Sequence, residues 1–143
     1  MYLCGEFKHT IDAKNRLFIP SKHREQLGER IMVVPSFQNK CLLVYSLSEW
    51  DKFIESVLEK VPATKRQGMN RFLFRNSLEV EYDSQGRILL SQSLCEIAQL
   101  GKGPAIIVGC GAYDEIWCEE NYTAVIDSED PEEFTEILGQ YGL

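Results

Sequence analysis

Apolar and polar residues alternate with period two through EFKHTID at residues 6–12. They do so again through SLEVEYD at 77–83, where Leu78, Val80 and Tyr82 take the apolar positions. Such alternation predicts strands buried on one face. Each strand runs into the same short phrase, DAKNRLFIP at 12–20 and DSQGRILLS at 83–91, and the two phrases stand 71 positions apart. After the first come SKHREQLGER, IMVV and CLLVYSLSEWDKFI; after the second come QSLCEIAQLGKG, AIIV and DEIWCEENYTAVI. Both halves therefore predict strand, turn, short strand, short helix ending in Leu-Gly, strand, strand, helix. Gly28 and Gly101 are the expected left-handed stops of the two short helices.

Helix punctuation fills in the rest. Ser48, ahead of Glu49, Trp50 and Asp51, predicts an N-cap with acids in the first turn, and Pro62 ends that helix. Between the halves, residues 61–76 predict an amphipathic helix. Met69, Phe72 and Leu73 recur at helical spacing on a packing face, and Lys60, Lys65, Arg66, Arg71 and Arg75 supply a basic one, with no acid from Val61 to Ser77. Past Asp127, SEDPEEFTEILGQYGL predicts a last short helix, whose Phe134, Ile137 and Leu138 form one apolar face expected to dock on the protein's own core. Trp50 and Trp117, beside helix starts in corresponding regions, are expected in the core. The glycine-rich GKGPAIIVGCG at 101–111 predicts a hairpin strand with its turns.

A chain of 143 residues, 44% hydrophobic, can bury a real core as one domain or two very small ones. No apolar run is long enough to span a bilayer, and MYLCGEFKHTID lacks the apolar stretch of a signal peptide, so a soluble cytoplasmic protein is expected. Five cysteines without a C-x-x-C pair argue against a disulfide framework and a zinc site; buried, reduced thiols are the expected state. No cofactor or metal is expected. The motifs of serine hydrolases, phosphate loops, dinucleotide folds and zinc proteases are all missing, so an enzyme is not expected.

Charge changes the picture. The net value is −7, yet residues 103–143 hold ten acids and no Lys or Arg, leaving +3 on residues 1–102. A basic face toward a polyanion with an acidic tail pointing away accounts for that asymmetry, and so does a solvated helix that only aids solubility.

The repeated Asp-x-x-x-Arg concentrates the chemistry. Asn15 and Gly86, just before each arginine, are residue types that readily take a positive φ, which predicts a tight turn. Asp12 and Asp83 can accept hydrogen bonds from the turn's own N–H groups, and Arg16 and Arg87 start the outgoing strands. Two roles compete for these arginines. One is a surface pair with the aspartates worth ~0–1 kcal/mol; the other is presentation of a planar guanidinium to phosphates or guanine, with ~1–3 kcal/mol of discrimination per bidentate contact. Lys8, His9, Lys14, Arg16, Lys22, His23 and Arg24 favour binding in the first half. The second half is sparser, so nucleic-acid binding requires several copies acting together.

The two D-x-x-x-R copies, the opening GEFKHTIDAKNRLFIP and the CLLVY…EW segment together resemble the MraZ family of bacterial transcriptional regulators, over essentially the whole chain. The resemblance implies an α+β fold of two tandem swapped-hairpin AbrB-like half-repeats forming a pseudo-dimeric β-barrel with flanking helices. The halves are then residues 1–60 and 77–143, joined by the basic helix at 61–76. It further implies a nucleoid-associated homo-oligomeric ring. Such a ring binds double-stranded DNA at short direct repeats in the promoter of its own division and cell-wall gene cluster, mostly as a repressor. Mapped onto this sequence, the motif gives Arg16, Arg87, Lys14 and Lys8 as DNA-binding residues, with Asp12, Asp83, Asn15 and Gly86 positioning the turns. Arg24 is a weaker candidate, a helix surface charge being its alternative. Where the family's second turn is usually followed by isoleucine-proline, this chain has Leu90-Ser91. The competing function is an antitoxin-like or scaffold module that binds protein through the acidic C-terminal helix.

Overall fold

The computed structural model describes residues 2–143. The first half runs β1 (Glu6–Ile11), β2 (Arg16–Phe18), α1 (Ser21–Leu27), β3 (Arg30–Pro35), β4 (Leu42–Ser46), α2 (Leu47–Lys60) and, after a 3₁₀ turn, α3 (Arg66–Phe74). The second half repeats that order as β5 (Leu78–Glu81), β6 (Arg87–Leu89), α4 (Gln92–Ile97), β7 (Gly103–Gly109), β8 (Asp114–Cys118), α5 (Glu119–Ser128) and α6 (Pro131–Gln140). The basic inter-repeat helix α3 is thus the counterpart of the acidic α6.

The halves interleave. An antiparallel six-stranded sheet has the order β1-β7-β8-β4-β3-β5, so β1 of the first half pairs with β7 of the second, and β5 with β3 of the first. The outgoing strands leave this ladder and pair with each other, β2 against β6. The expected barrel does not appear as a closed ladder, because the tight turns after β1 and β5 divert the chain away from both sheet edges. Period-two alternation then splits the core. Ile11, Leu17, Ile31, Val33, Val44 and Ile88 pack on one face of the sheet beneath β2, β6, α1 and α4. Val34, Leu43, Tyr45, Trp50, Ile106 and Trp117 pack on the other beneath α2 and α5. Both tryptophans are core residues, as the sequence predicts.

Several local expectations move. The N-cap of α2 is Ser46, whose Oγ accepts from the Glu49 N–H at 3.2 Å, two residues before the expected Ser48. The helix does end before Pro62, with Val61 extended. The left-handed stop after α4 is Gln99 (φ 57) rather than Gly101, with Leu100 N–H donating to Cys95 O and Gln99 N–H to Glu96 O. This is a Schellman closure, and the Asn121 amide fixes Gln99 by donating to its Oε1 at 2.9 Å. Cys41 and Cys95 are buried, but Cys4 and Cys110 are exposed, at the place where residues 3–5 cross the end of β7 and only Leu3 enters the core. Gly109 permits that crossing, since a Cβ there would stand 2.4 Å from the Cys4 nitrogen. Helix α6 does not dock on the core: all its residues are exposed.

One buried polar contact joins the halves. His23 in α1 places Nδ1 2.7 and 2.9 Å from the Asp114 carboxylate oxygens and Nε2 2.7 Å from the Cys4 carbonyl. A carbonyl only accepts, so Nε2 donates, and a second proton is shared between Nδ1 and the carboxylate. Burial pushes the Asp114 carboxyl up while His23 pulls it down. The corresponding positions of the other halves, third in α4 and first in β4, are the buried Leu94 and Leu42. Breaking a buried pair from one side costs ~3–5 kcal/mol, whereas apolar replacement of both partners is near neutral. His23→Leu and Asp114→Leu are each expected to lower the thermal unfolding midpoint sharply, and the double variant to regain most of the loss.

Candidate nucleic-acid interface

Both Asp-x-x-x-Arg turns close in the same way. Asn15 N–H donates to Asp12 O at 3.1 Å and Asp12 N–H to Arg16 O at 3.1 Å; Gly86 and Asp83, then Asp83 and Arg87, repeat this at 3.1 and 2.8 Å. The residue before each arginine is left-handed, Asn15 at φ 61 and Gly86 at φ 79. Asp12 Oδ1 accepts from the N–H groups of Lys14 and Arg16, both at 2.9 Å, and Oδ2 from Arg16 Nε at 2.7 Å. Asp83 does the same with Gln85 and Arg87, at 2.9, 2.9 and 2.8 Å. The backbone N–H of Arg16, helped by its guanidinium and by Lys14, holds the Asp12 carboxyl at about 2. Asp83 is likewise lowered, first by the backbone N–H of Arg87.

The aspartate grips only one edge of each guanidinium. Arg16 keeps both terminal nitrogens without a partner among the described residues, and Arg87 Nη1 leans toward Asp12 Oδ2 at 3.7 Å. That contact also shows that the turns lie side by side. They are locked there by two backbone bonds, Ile19 N–H to Gly86 O at 3.1 Å and Leu90 N–H to Asn15 O at 2.8 Å. Leu90-Ser91 does not disturb the exit: Leu90 is buried like Ile19, and Ser91 is extended at φ −69 and ψ 154, near Pro20 at φ −53 and ψ 141. Leu17 and Ile88 point inward from the β2–β6 ribbon, and Arg16, Phe18, Arg87 and Leu89 occupy the alternate positions.

The other candidates divide. Lys14 is exposed at the tip of the first turn. Lys8, on β1, pairs with Glu119. The Asn15 amide donates to Gln92 Oε1 at 3.3 Å, and its oxygen accepts from Lys102. Arg24 is no free surface charge: its Nη1 donates to Ile19 O at 2.7 Å, and the guanidinium lies 4.9 Å from the Phe18 ring centroid. It props the second turn from below, with Gly86 O 3.4 Å away. His23, counted among the basic residues of the first half, faces the core. Sequence reasoning missed Leu89, 57% exposed on the ribbon; its place between Ile88 and Leu90 in an alternating strand is the signal that would have found it. Among the described residues no three His, Cys, Asp or Glu side chains group to hold a metal, and no helix is long and apolar enough to cross a membrane.

The family model described as "MraZ protein, putative antitoxin-like" matches residues 2–70 and 73–138. The chain belongs to the MraZ family. Proteins named "Transcriptional regulator MraZ" are similar along nearly all of it. One from a Thermoanaerobacter species is 41% identical over 145 residues, covering 99% of both chains. One from Caldicellulosiruptor bescii is 41% identical over 129 residues, 89% of this chain and 88% of its own. That from Clostridium tetani is 35% identical over 142 residues, covering 97% and 98%. The two stretches of the MraZ match each contain one Asp-x-x-x-Arg turn.

A Cβ on Gly86 would meet Arg24 Nη1 at 1.9 Å in a backbone region that side chains avoid. Gly86→Ala is therefore expected to cost more than ~1 kcal/mol in denaturant unfolding, while Asn15→Gly costs little. Because the Asp12 carboxyl is lowered from 3.8 to about 2, its turn bonds persist above pH 4 and are lost as the pH falls through about 2. Carboxyl titration by NMR is expected to give that midpoint; a value near 3.8 would contradict the hydrogen bonding described.

Proposed function

We propose that this chain is a sequence-specific DNA-binding transcriptional regulator, acting in the cytoplasm at the nucleoid. In this reading it represses its own division and cell-wall gene cluster through short direct promoter repeats, and no catalysis is involved. The observation that carries it is the pair of locked turns, each with an aspartate fixing the Nε edge of an arginine and leaving terminal donors for base edges or phosphates. Arg16, Arg87 and exposed Lys14 make the primary contacts. Leu89 offers an apolar contact of the kind a thymine methyl accepts. Lys8 contributes phosphate attraction once released from Glu119, and Arg24 acts as a positioning residue. Family membership and the relatives' printed name support the same reading. Half-repeats at 1–60 and 77–143, joined by the helix at 61–76, form the interleaved pseudo-dimer of the AbrB-like swapped-hairpin type, which the exchange of β1, β2, β5 and β6 supports.

The two aspartates offset the two arginines and leave each pair of turns with only the single positive charge of Lys14, so one chain binds DNA weakly. Repetition of the pair in a homo-oligomeric ring converts weak contacts into avidity. A second reading, an antitoxin-like or scaffold module, is favoured by the fully exposed α6.

Selection from a randomised DNA pool at near-physiological salt is expected to enrich a short motif in tandem. Arg16→Ala and Arg87→Ala each lower affinity for that motif by roughly tenfold or more, with the oligomer unchanged in mass and Arg87→Ala having an equal or smaller effect. No enrichment from a folded protein sinks this reading and favours the protein-binding one.

A further inference from the structure

Two of the five cysteines meet beyond the end of the β1–β7 ladder. That ladder sets Glu6 opposite Val108, and the isolated bridge past it sets Leu3 opposite Gly111. Gly109 N–H donates to Gly5 O at 2.8 Å, so the register carries through without a slip and Cys4 falls opposite Cys110. Leu3 and Gly111 exchange both backbone bonds, at 2.8 and 2.9 Å. The Cys110 N–H turns the other way, to Tyr113 O at 2.9 Å, and the Cys4 carbonyl accepts from His23 Nε2 at 2.7 Å. Cys4 and Cys110 are therefore a non-hydrogen-bonded pair, the kind in which opposed Cα atoms stand ~4.5 Å apart with both side chains on one face. Disulfides span Cα separations of ~4.4–6.8 Å. The missing Cβ of Gly109 lets the Cys4 backbone close in on β7 at this point.

Both residues are exposed, and their thiols make only long contacts to carbonyls two residues back, Cys4 Sγ to Tyr2 O at 3.5 Å and Cys110 Sγ to Val108 O at 3.8 Å. The other cysteines are committed elsewhere: Cys41 and Cys95 are buried, and Cys118 Sγ caps α5 by accepting from the Asn121 N–H. We propose that Cys4 and Cys110 form a redox-active dithiol site, closed to an intramolecular disulfide by a low-molecular-weight disulfide and reopened by small thiols. Cys4 reacts first. Its thiolate attacks one sulfur of the small disulfide, whose S–S bond breaks to release one small thiol and leave a mixed disulfide on Cys4. Cys110 then loses its proton, attacks the Cys4 sulfur and expels the second small thiol. The two protein thiols are oxidised, the small disulfide is reduced to two thiols, and the two cysteine protons end on those thiols. The order follows from the surroundings of Cys110. Desolvation of its sulfur, and then the Glu115 carboxylate, push that thiol up to about 12, which makes it a poor first nucleophile. In the second step its target sulfur is already opposite it, and proximity compensates. Exposed bridges of this kind are the readily reduced ones. Because the Cys4 carbonyl holds His23 Nε2, the bridge fastens the first residues to β7 beside the buried pair that joins the halves. None of this depends on how the turns meet DNA.

The test incubates the reduced full-length protein with oxidised glutathione, counts thiols in denaturant and maps unreduced peptides by mass spectrometry. The five thiols are expected to fall by two, with Cys4 and Cys110 in one linked pair of peptides, no glutathione retained and no linked dimer. Dithiothreitol is expected to restore all five. Cys110→Ser is expected to stop at a glutathione mixed disulfide on Cys4, and Cys4→Ser to lose no thiol; both changes lie at exposed positions, and circular dichroism checks that the fold is kept. The bridged wild type is expected to unfold at a higher temperature than the reduced form. A wild type that keeps five thiols, that retains glutathione on Cys4 as Cys110→Ser does, or that bridges another pair or two chains overturns the proposal. A complete Cys4–Cys110 bridge with an unchanged unfolding midpoint overturns the fastening of the first residues to β7.

Discussion

Everything at the candidate interface depends on the backbone pairing of β2 with β6. These strands are three residues each, too short to be stable alone, and they come from opposite halves of the chain. Their ladder is extended at both ends by the bonds from Ile19 to Gly86 and from Leu90 to Asn15. In those bonds each turn supplies the carbonyl of its left-handed residue to the strand leaving the other turn. Neither turn can be placed without its partner. The same pairing drives Leu17 and Ile88 into the core and leaves Arg16 and Arg87 on the other face, so burial and presentation follow from one register.

The element order was legible because period-two and helical patterns recur in both halves, and the turn chemistry because Asp, Asn and Gly have local conformational preferences. Strand partners were not. Nothing in EFKHTID distinguishes pairing with its own outgoing strand from pairing with β7, since both bury the same alternate residues. The caps were missed for a related reason: Ser46 and Ser48 both suit an N-cap, and only the path of β4 selects the first. Gln99 takes the left-handed position although Gly101 is nearby, because helix length is set by burial of Leu94, Cys95 and Ala98 and by the Asn121 contact. The sequence leaves Arg24 between a weak DNA-binding candidate and a helix surface charge, because the carbonyls it serves belong to Ile19 and Gly86, the latter 62 residues away. His23 looked basic for the same reason, its partner Asp114 lying 91 residues away.

The internal repeat preserves backbone order while its side chains diverge. One core position holds the His23–Asp114 pair where its counterpart holds leucines. One turn is braced by Arg24, where the aligned residue in the other half is Cys95. One terminal helix is basic and the other acidic. These differences convert a nearly two-fold object into one with distinguishable ends. A symmetric version would present identical faces, and identical faces favour closed two-fold dimers.

Charge constrains the proposed reading of DNA by the turns. With its two aspartates compensating two arginines, a single chain lacks the dense positive field that drives non-specific phosphate binding, and the acidic segment from 103 to 143 weakens it further. Geometry has to compensate for charge. The aspartates hold each guanidinium in place in advance, so little side-chain entropy is lost on the proposed contact with DNA. In the proposed ring, repetition sets a constant spacing between successive turn pairs, which only DNA with repeats at the matching interval satisfies all at once. On that proposal low affinity per chain becomes the source of selectivity, because an isolated site engages one pair of turns and is released, while a repeated site engages several.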